Sequence, residues 1–100
     1  MERGKKMTKR DLVVKIAGET GLTQLAVKEV IQKFLDSVID DLARGENVEF
    51  RNFGVFQCVY RKPRIGRNPR RPQDIVQIPG RRVVRFKSGK DMKIKVSRAG

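Results

Sequence analysis

A run of twelve residues, R-K-P-R-I-G-R-N-P-R-R-P from Arg61 to Pro72, limits what this chain can become more than any other segment. Six of the twelve are basic (Arg61, Lys62, Arg64, Arg67, Arg70 and Arg71) and none is acidic. Pro63, Pro69 and Pro72 remove amide donors and lock φ, so neither a helix interior nor a central strand can run through the segment. Ile65 is its one strongly apolar side chain, too little to fold it by burial. The segment must project into solvent from a scaffold made elsewhere in the chain, and its natural partner is a polyanion.

The rest of the chain supplies that scaffold. Residues 1–52 carry ten basic and nine acidic side chains, whereas residues 53–100 carry fourteen basic and two acidic. The first half therefore reads as scaffold and the second as binding surface. One hundred residues with 38% hydrophobic side chains make a single domain with a thin core. A chain of this size buries only about 60–65% of its unfolded surface, so a second copy would help it. The net charge of +13 points to nucleic acid or an anionic membrane surface. No apolar run approaches the roughly 20 residues of a membrane span, and no signal-peptide core is visible, so a soluble intracellular protein with no membrane partner is expected. The single cysteine, Cys58, excludes an intrachain disulfide framework and a multi-cysteine metal site. The chain has no histidine, no Walker-type glycine loop and no nucleophile elbow. No catalytic residue, metal site or cofactor is expected, and the chain does not read as an enzyme.

Along the chain, residues 1–6 form a basic tail with nothing to bury, expected to be disordered. Thr8 can cap a first helix, about residues 8–19, with Asp11 returning the bond. Leu12, Val13, Ile16 and Ala17 share its apolar face, and Gly21 ends it. A second helix, about residues 24–44, carries apolar pairs four apart, from Ala26-Val27 through Phe34-Leu35 and Val38-Ile39 to Leu42-Ala43. That stripe is wider than one neighbouring helix needs, so the sheet or another subunit must cover the remainder. Gly45 supplies the stop.

The period then changes from helical to alternating. Strands are expected at about residues 47–51, 54–64 and 74–87, with a turn at Asn52-Phe53-Gly54 and a bulge or bend at Pro79-Gly80. The basic stretch becomes the distal part of a long hairpin arm, its tip at about residues 65–73. Ser88 can cap a last helix, about residues 89–97, although Met92, Ile94 and Val96 alternating with lysines also fit a strand.

These residues resemble the bacterial histone-like HU and integration host factor family, from Met7 to about Val96. G-R-N-P at Gly66–Pro69 is the most specific match, beside N-F-G-V-F at Asn52–Phe56, F-K-S-G-K at Phe86–Lys90 and G-L-T at Gly21–Thr23. The resemblance implies an α+β fold and an intertwined dimer. Each chain contributes two N-terminal helices, a three-stranded antiparallel sheet with a long β-hairpin arm and a short C-terminal helix. Phe34, Val38, Leu42, Phe50, Phe53, Phe56 and Phe86 would form the dimer core. The resemblance further implies arms that reach around duplex DNA in the minor groove, Pro69 as a wedge between base pairs, and Arg67 and Asn68 positioning it. The place of action would be the nucleoid in bacterial cytoplasm. The family pattern continues x-T-G after its proline. Here Arg70, Arg71 and Pro72 follow, with one residue more than usual before Pro79, which implies a different tip turn.

The candidate DNA-binding residues are Arg61, Lys62, Arg64, Arg67, Asn68, Pro69, Arg70 and Arg71 on the arm, and Arg81, Arg82, Arg85, Lys87, Lys90 and Lys93 on or after the return strand. A solvated charge run is the plainer reading of the basic stretch, but it does not explain why the charge is confined to a hairpin. Asn-Pro is also a common turn dipeptide, so Pro69 can be a mere turn former. Cys58 reads as a small packed side chain. Phe53, Phe56 and Phe86 read as core residues and not as base-stacking platforms, and Asp36, Asp40 and Asp41 as a solvated helix face. Two other functions stay open: a sequence-specific helix-turn-helix regulator using residues 8–44, and an RNA-binding or ribosome-associated protein. Homodimer and heterodimer with a paralogous chain are both open. So are binding indifferent to base sequence, as in HU, and selective binding, as in integration host factor.

Overall fold

A computed structural model describes residues 6–99. The expectation for the tail at residues 1–6 falls, Lys6 apart, outside them. The element order is α1 (Lys9–Thr20), α2 (Gln24–Ala43), β1 (Val48–Phe50), β2 (Gly54–Arg61), β3 (Arg64–Asn68), β4 (Arg71–Ile78), β5 (Arg81–Ser88) and α3 (Lys90–Ala99). The chain divides after Ile39 into two compact units.

The first unit is a helix pair set by its caps. Thr8 Oγ1 accepts from the Asp11 amide at 3.2 Å, and Asp11 Oδ2 accepts from the Thr8 amide at 3.1 Å. Two otherwise orphaned donors at the start of α1 are thereby satisfied. Gly21 ends α1 in the left-handed conformation, φ 77°, with its amide on Ala17 O at 3.0 Å. Thr23 Oγ1 then accepts from the Ala26 amide at 3.1 Å to open α2. Val13, Ala17 and Val27 are buried together, with Ile16 and Ile31 packed on them. Leu12, expected on the same inner face, remains exposed. It lies one residue before Val13, which turns it about 100° away from the contact.

The second unit is a sheet with an arm. β1, β2 and β5 form an antiparallel sheet in the order β1-β2-β5. Asn52, at φ 67°, makes the β1–β2 turn, and the Phe53 amide donates to Phe50 O at 2.9 Å. Phe56 stands opposite Phe86, with ring centroids 4.8 Å apart, and Phe50 and Phe53 join them at 5.9–6.3 Å. Phe86 also lies over Gly54, where an added β-carbon would come within 2.6 Å of its Cε1. Only a glycine lets the ring cross β2 there.

Three boundaries differ from the sequence expectation. The segment 89–97 is a helix, α3, but its cap is Gly89 and not Ser88. Gly89 O accepts the Lys93 amide at 3.0 Å, and its own amide goes to Phe53 O at 2.8 Å. Ser88 is taken up by β5, opposite Gly54, so its backbone is committed to the ladder. The long strand expected at 54–64 is cut in two at Lys62-Pro63, whereas the return strand breaks at Pro79-Gly80, where a bulge or bend was expected. Lys62-Pro63 and Pro79-Gly80 face each other across the hairpin, and neither proline has an amide to give. Beyond this gap the ladder resumes as β3–β4 and runs further than expected, to Asn68 opposite Arg71. The tip expected at 65–73 shrinks to a turn at Pro69-Arg70.

Candidate nucleic-acid interface

The register of β2 against β5 sorts the basic residues by face. Arg61 pairs with Arg81, Gln57 with Arg85 and Val55 with Lys87. Side chains of paired residues, and of residues two apart, share a face. Arg61, Arg81, Arg85 and Lys87 therefore form one basic face. Arg82 pairs with Tyr60 and lies on the opposite face, that of Phe56 and Phe86. There its Nη1 donates to Ala43 O, the last carbonyl of α2, at 3.2 Å. A cation at a helix C-terminus is favourably placed against the helix dipole. The structure thus separates Arg82 from the other return-strand cations with which the sequence grouped it.

At the arm root, Tyr60 packs over Gly80. A β-carbon on Gly80 would collide with the Tyr60 hydroxyl and stand 2.8 Å from its Cζ and 3.0 Å from Pro63 Cδ. This contact has little signal in the sequence beyond a glycine beside a proline. Lys62 lies in the gap itself, exposed.

The tip is closed by its own side chains. Asn68 Oδ1 accepts from the Arg70 amide at 2.9 Å, which braces the Pro69-Arg70 turn. The ladder shifts between Arg67, opposite Ile75, and Asn68, opposite Arg71. Pro72, Gln73 and Asp74 are left as a bulge, which is where a proline can sit in a strand without breaking a ladder bond. Arg67 Nη1 donates to Pro72 O at 3.1 Å, and Arg71 Nε stands 3.4 Å from Asp74 Oδ2. These bonds occupy the place of the x-T-G turn whose absence marked the sequence. Pro69 is exposed at the end of the arm. Arg64 lies on the arm face of Gly66 and Val76; Arg67 lies on the other, with Ile65 and Ile75. Lys90 and Lys93 are exposed on α3, whose start adjoins the β1–β2 turn, and are not on the arm.

Of the residues assigned to a dimer core, Leu42 alone is buried within one chain. Val38, Phe50 and Phe56 are half-buried, and Phe34, Phe53 and Phe86 are exposed.

The sequence profile described as "Bacterial DNA-binding protein" matches residues 7–97. The chain is 46% identical over 87 residues to the probable DNA-binding protein HU of Chlamydia pneumoniae, covering 87% of each. It is 39% identical over 88 residues to the integration host factor subunit beta of Serratia marcescens, covering 87% of this chain and 93% of that one. Its fold matches HU in an Anabaena HU–DNA cocrystal structure with a TM-score of 0.83 at 33% identity, over 91% of this chain and 98% of that one. HU from Thermotoga maritima matches with a TM-score of 0.64 at 28% identity, over 90% and 98% of the two chains.

Proposed function

Because the chain belongs to the family of bacterial DNA-binding proteins, we propose that it is an architectural protein that bends and compacts duplex DNA in the nucleoid. The observation that carries this reading is the β3–β4 arm, a narrow cationic ribbon ending in an exposed proline turn. Two chains, identical or paralogous, associate through the apolar surface that one chain leaves open and present two arms to one duplex. Arg61, Arg81, Arg85 and Lys87 meet phosphate first and set register, which needs no base sequence. The arms enter the minor groove and Pro69 inserts between base pairs. Unstacking a step costs a few kcal/mol, offset by the wider contact that bent DNA makes with the protein. Asn68 acts one step behind the wedge by holding the turn that presents it. The reaction is binding and deformation, with no covalent step.

The helix-turn-helix reading has less support. α2 exposes Val30 and Ile39 and carries Asp36, Asp40 and Asp41, where a major-groove helix needs cations. The test compares intact duplex, nicked duplex and structured RNA in a gel-shift titration at several salt concentrations. Nicked duplex should bind most tightly, because part of its bending cost is already met. With about 6–10 phosphates neutralised per dimer, affinity should fall about 10³–10⁵-fold between about 50 and 200 mM salt. Equal binding to intact and nicked duplex would rule out bending as the function.

A further inference from the structure

The arm carries an apolar surface that its own fold does not bury. Ile65 stands opposite Gln77 and Arg67 opposite Ile75, so these four side chains share one face of the ribbon. Ile65 is 69% exposed and Ile75 60%. On the other face Ile78 is half-buried, its Cδ1 lying 3.1 Å from where a β-carbon on Gly66 would stand. Val76, on the face of Ile78, is 51% exposed, so the Ile65–Ile75 face is the more open of the two. At its root it borders a shallow recess whose lining includes Pro63, Gln77 and Pro79. A two-stranded ribbon has no second layer to cover such a face.

Charge complementarity decides what covers it. Six cations lie between Arg61 and Arg71, and the acid that β4 adds, Asp74, already faces Arg71. The occupant must be a polyanion that also offers an apolar wall. The minor groove of duplex DNA does so: it is about 6 Å wide and walled by the C–H edges of deoxyribose. The minor groove of duplex RNA is wide and shallow and displays 2′-hydroxyls. An isoleucine pressed against a 2′-hydroxyl removes its water and returns no hydrogen bond, which is unfavourable.

We propose that Ile65 and Ile75 form a sugar-reading face that makes the arm select deoxyribose over ribose. The selection acts through desolvation and not through charge, since the phosphates of the two polymers are alike. This rests on the minor-groove reading above, which by itself assigns the two isoleucines no role.

The experiment measures binding of the full chain by fluorescence anisotropy to a short DNA duplex, an RNA duplex of the same sequence, and the DNA duplex with ribonucleotides placed at its centre. The parent should prefer DNA over RNA, with the chimera between them. The double variant Ile65→Thr, Ile75→Thr keeps β-branched residues suited to strands. It should lose about tenfold in DNA affinity, the effect of uncovering part of two isoleucine side chains. Its RNA affinity and salt slope should stay unchanged, so the preference narrows. A preference as wide in the variant as in the parent, or none in the parent, overturns the proposal. If the parent binds and bends DNA with a steep salt dependence but shows no preference, only the sugar-reading face falls. If the parent does not bind duplex DNA, the architectural reading falls with it.

Discussion

Pro69 and Arg82 show how much one side chain's surroundings decide its role. Pro69 is rigid, apolar, exposed and flanked by Arg67, Arg70 and Arg71, so in the proposed complex cations would hold it against the backbone while its ring meets the base stack. Pro69→Ala should keep the fold and most of the phosphate-driven affinity and reduce the bend. Fluorescence transfer between the ends of a short duplex at saturating protein would report this as a longer distance. An unchanged distance would make Pro69 a turn former only. Arg82 and Lys87 are both cations on β5, yet they lie on opposite faces. Lys87→Ala should make the log–log salt slope of DNA binding shallower by about one unit for each phosphate left without its lysine. Arg82→Ala should leave that slope unchanged and lower folding stability by about 1 kcal/mol, since its guanidinium serves the C-terminus of α2. A matching drop in slope for both variants would place Arg82 on the DNA instead.

At the level of the element, the hairpin is two ladders joined by a gap, and the gap sets how the arm stands on its sheet. Lys62-Pro63 and Pro79-Gly80 leave no ladder bond across this level, and Tyr60 and Pro63 both pack against Gly80, a contact expected to orient the arm there. Gly80→Ala would force the Tyr60 ring aside. Because that ring is partly in solvent and can swing away, the stability cost should be modest, about 1 kcal/mol. The arm should nonetheless reorient. Tyr60 is the chain's only tyrosine and there is no tryptophan, so its emission reports on the arm root directly. A changed Tyr60 emission with a weaker response to added duplex is expected for Gly80→Ala. Emission identical to the parent in both states would remove Tyr60 as the orienting contact.

For the whole molecule, the exposed apolar surface is the fact to be explained. Val30 is 67% and Ile39 62% exposed on α2, and Val84 and Phe86 are exposed on β5. A monomer leaving this much apolar surface in water would be marginal at best. Folding and association are expected to be one event. Val38→Asp, which would put an unpaired charge into the apolar stripe proposed to lie between the two chains, should abolish both. Sedimentation and circular dichroism at micromolar concentration would show an unfolded chain. A well-folded monomer, parent or variant, would contradict the dimer.

What could be read from the sequence is what physical chemistry settles within a few residues. The reciprocal bonds of Thr8 and Asp11, the left-handed glycines at 21 and 45, the change from helical to alternating period and the solvent-seeking Arg61–Pro72 run all follow from neighbours along the chain. What the tertiary structure decided depends on partners far apart in sequence. Register put Arg82 on the aromatic face and brought it to Ala43, thirty-nine residues away. Register also let the extra residue collect with its neighbours as the Pro72–Asp74 bulge and not as a longer tip. Gly89 became the cap of α3 because Phe53 O was within reach and Ser88 was held by Gly54. In a ladder of period two, one step of register moves a side chain to the opposite face. Composition and spacing can say that a strand is basic, but which of its cations share a face is settled by the strand beside it.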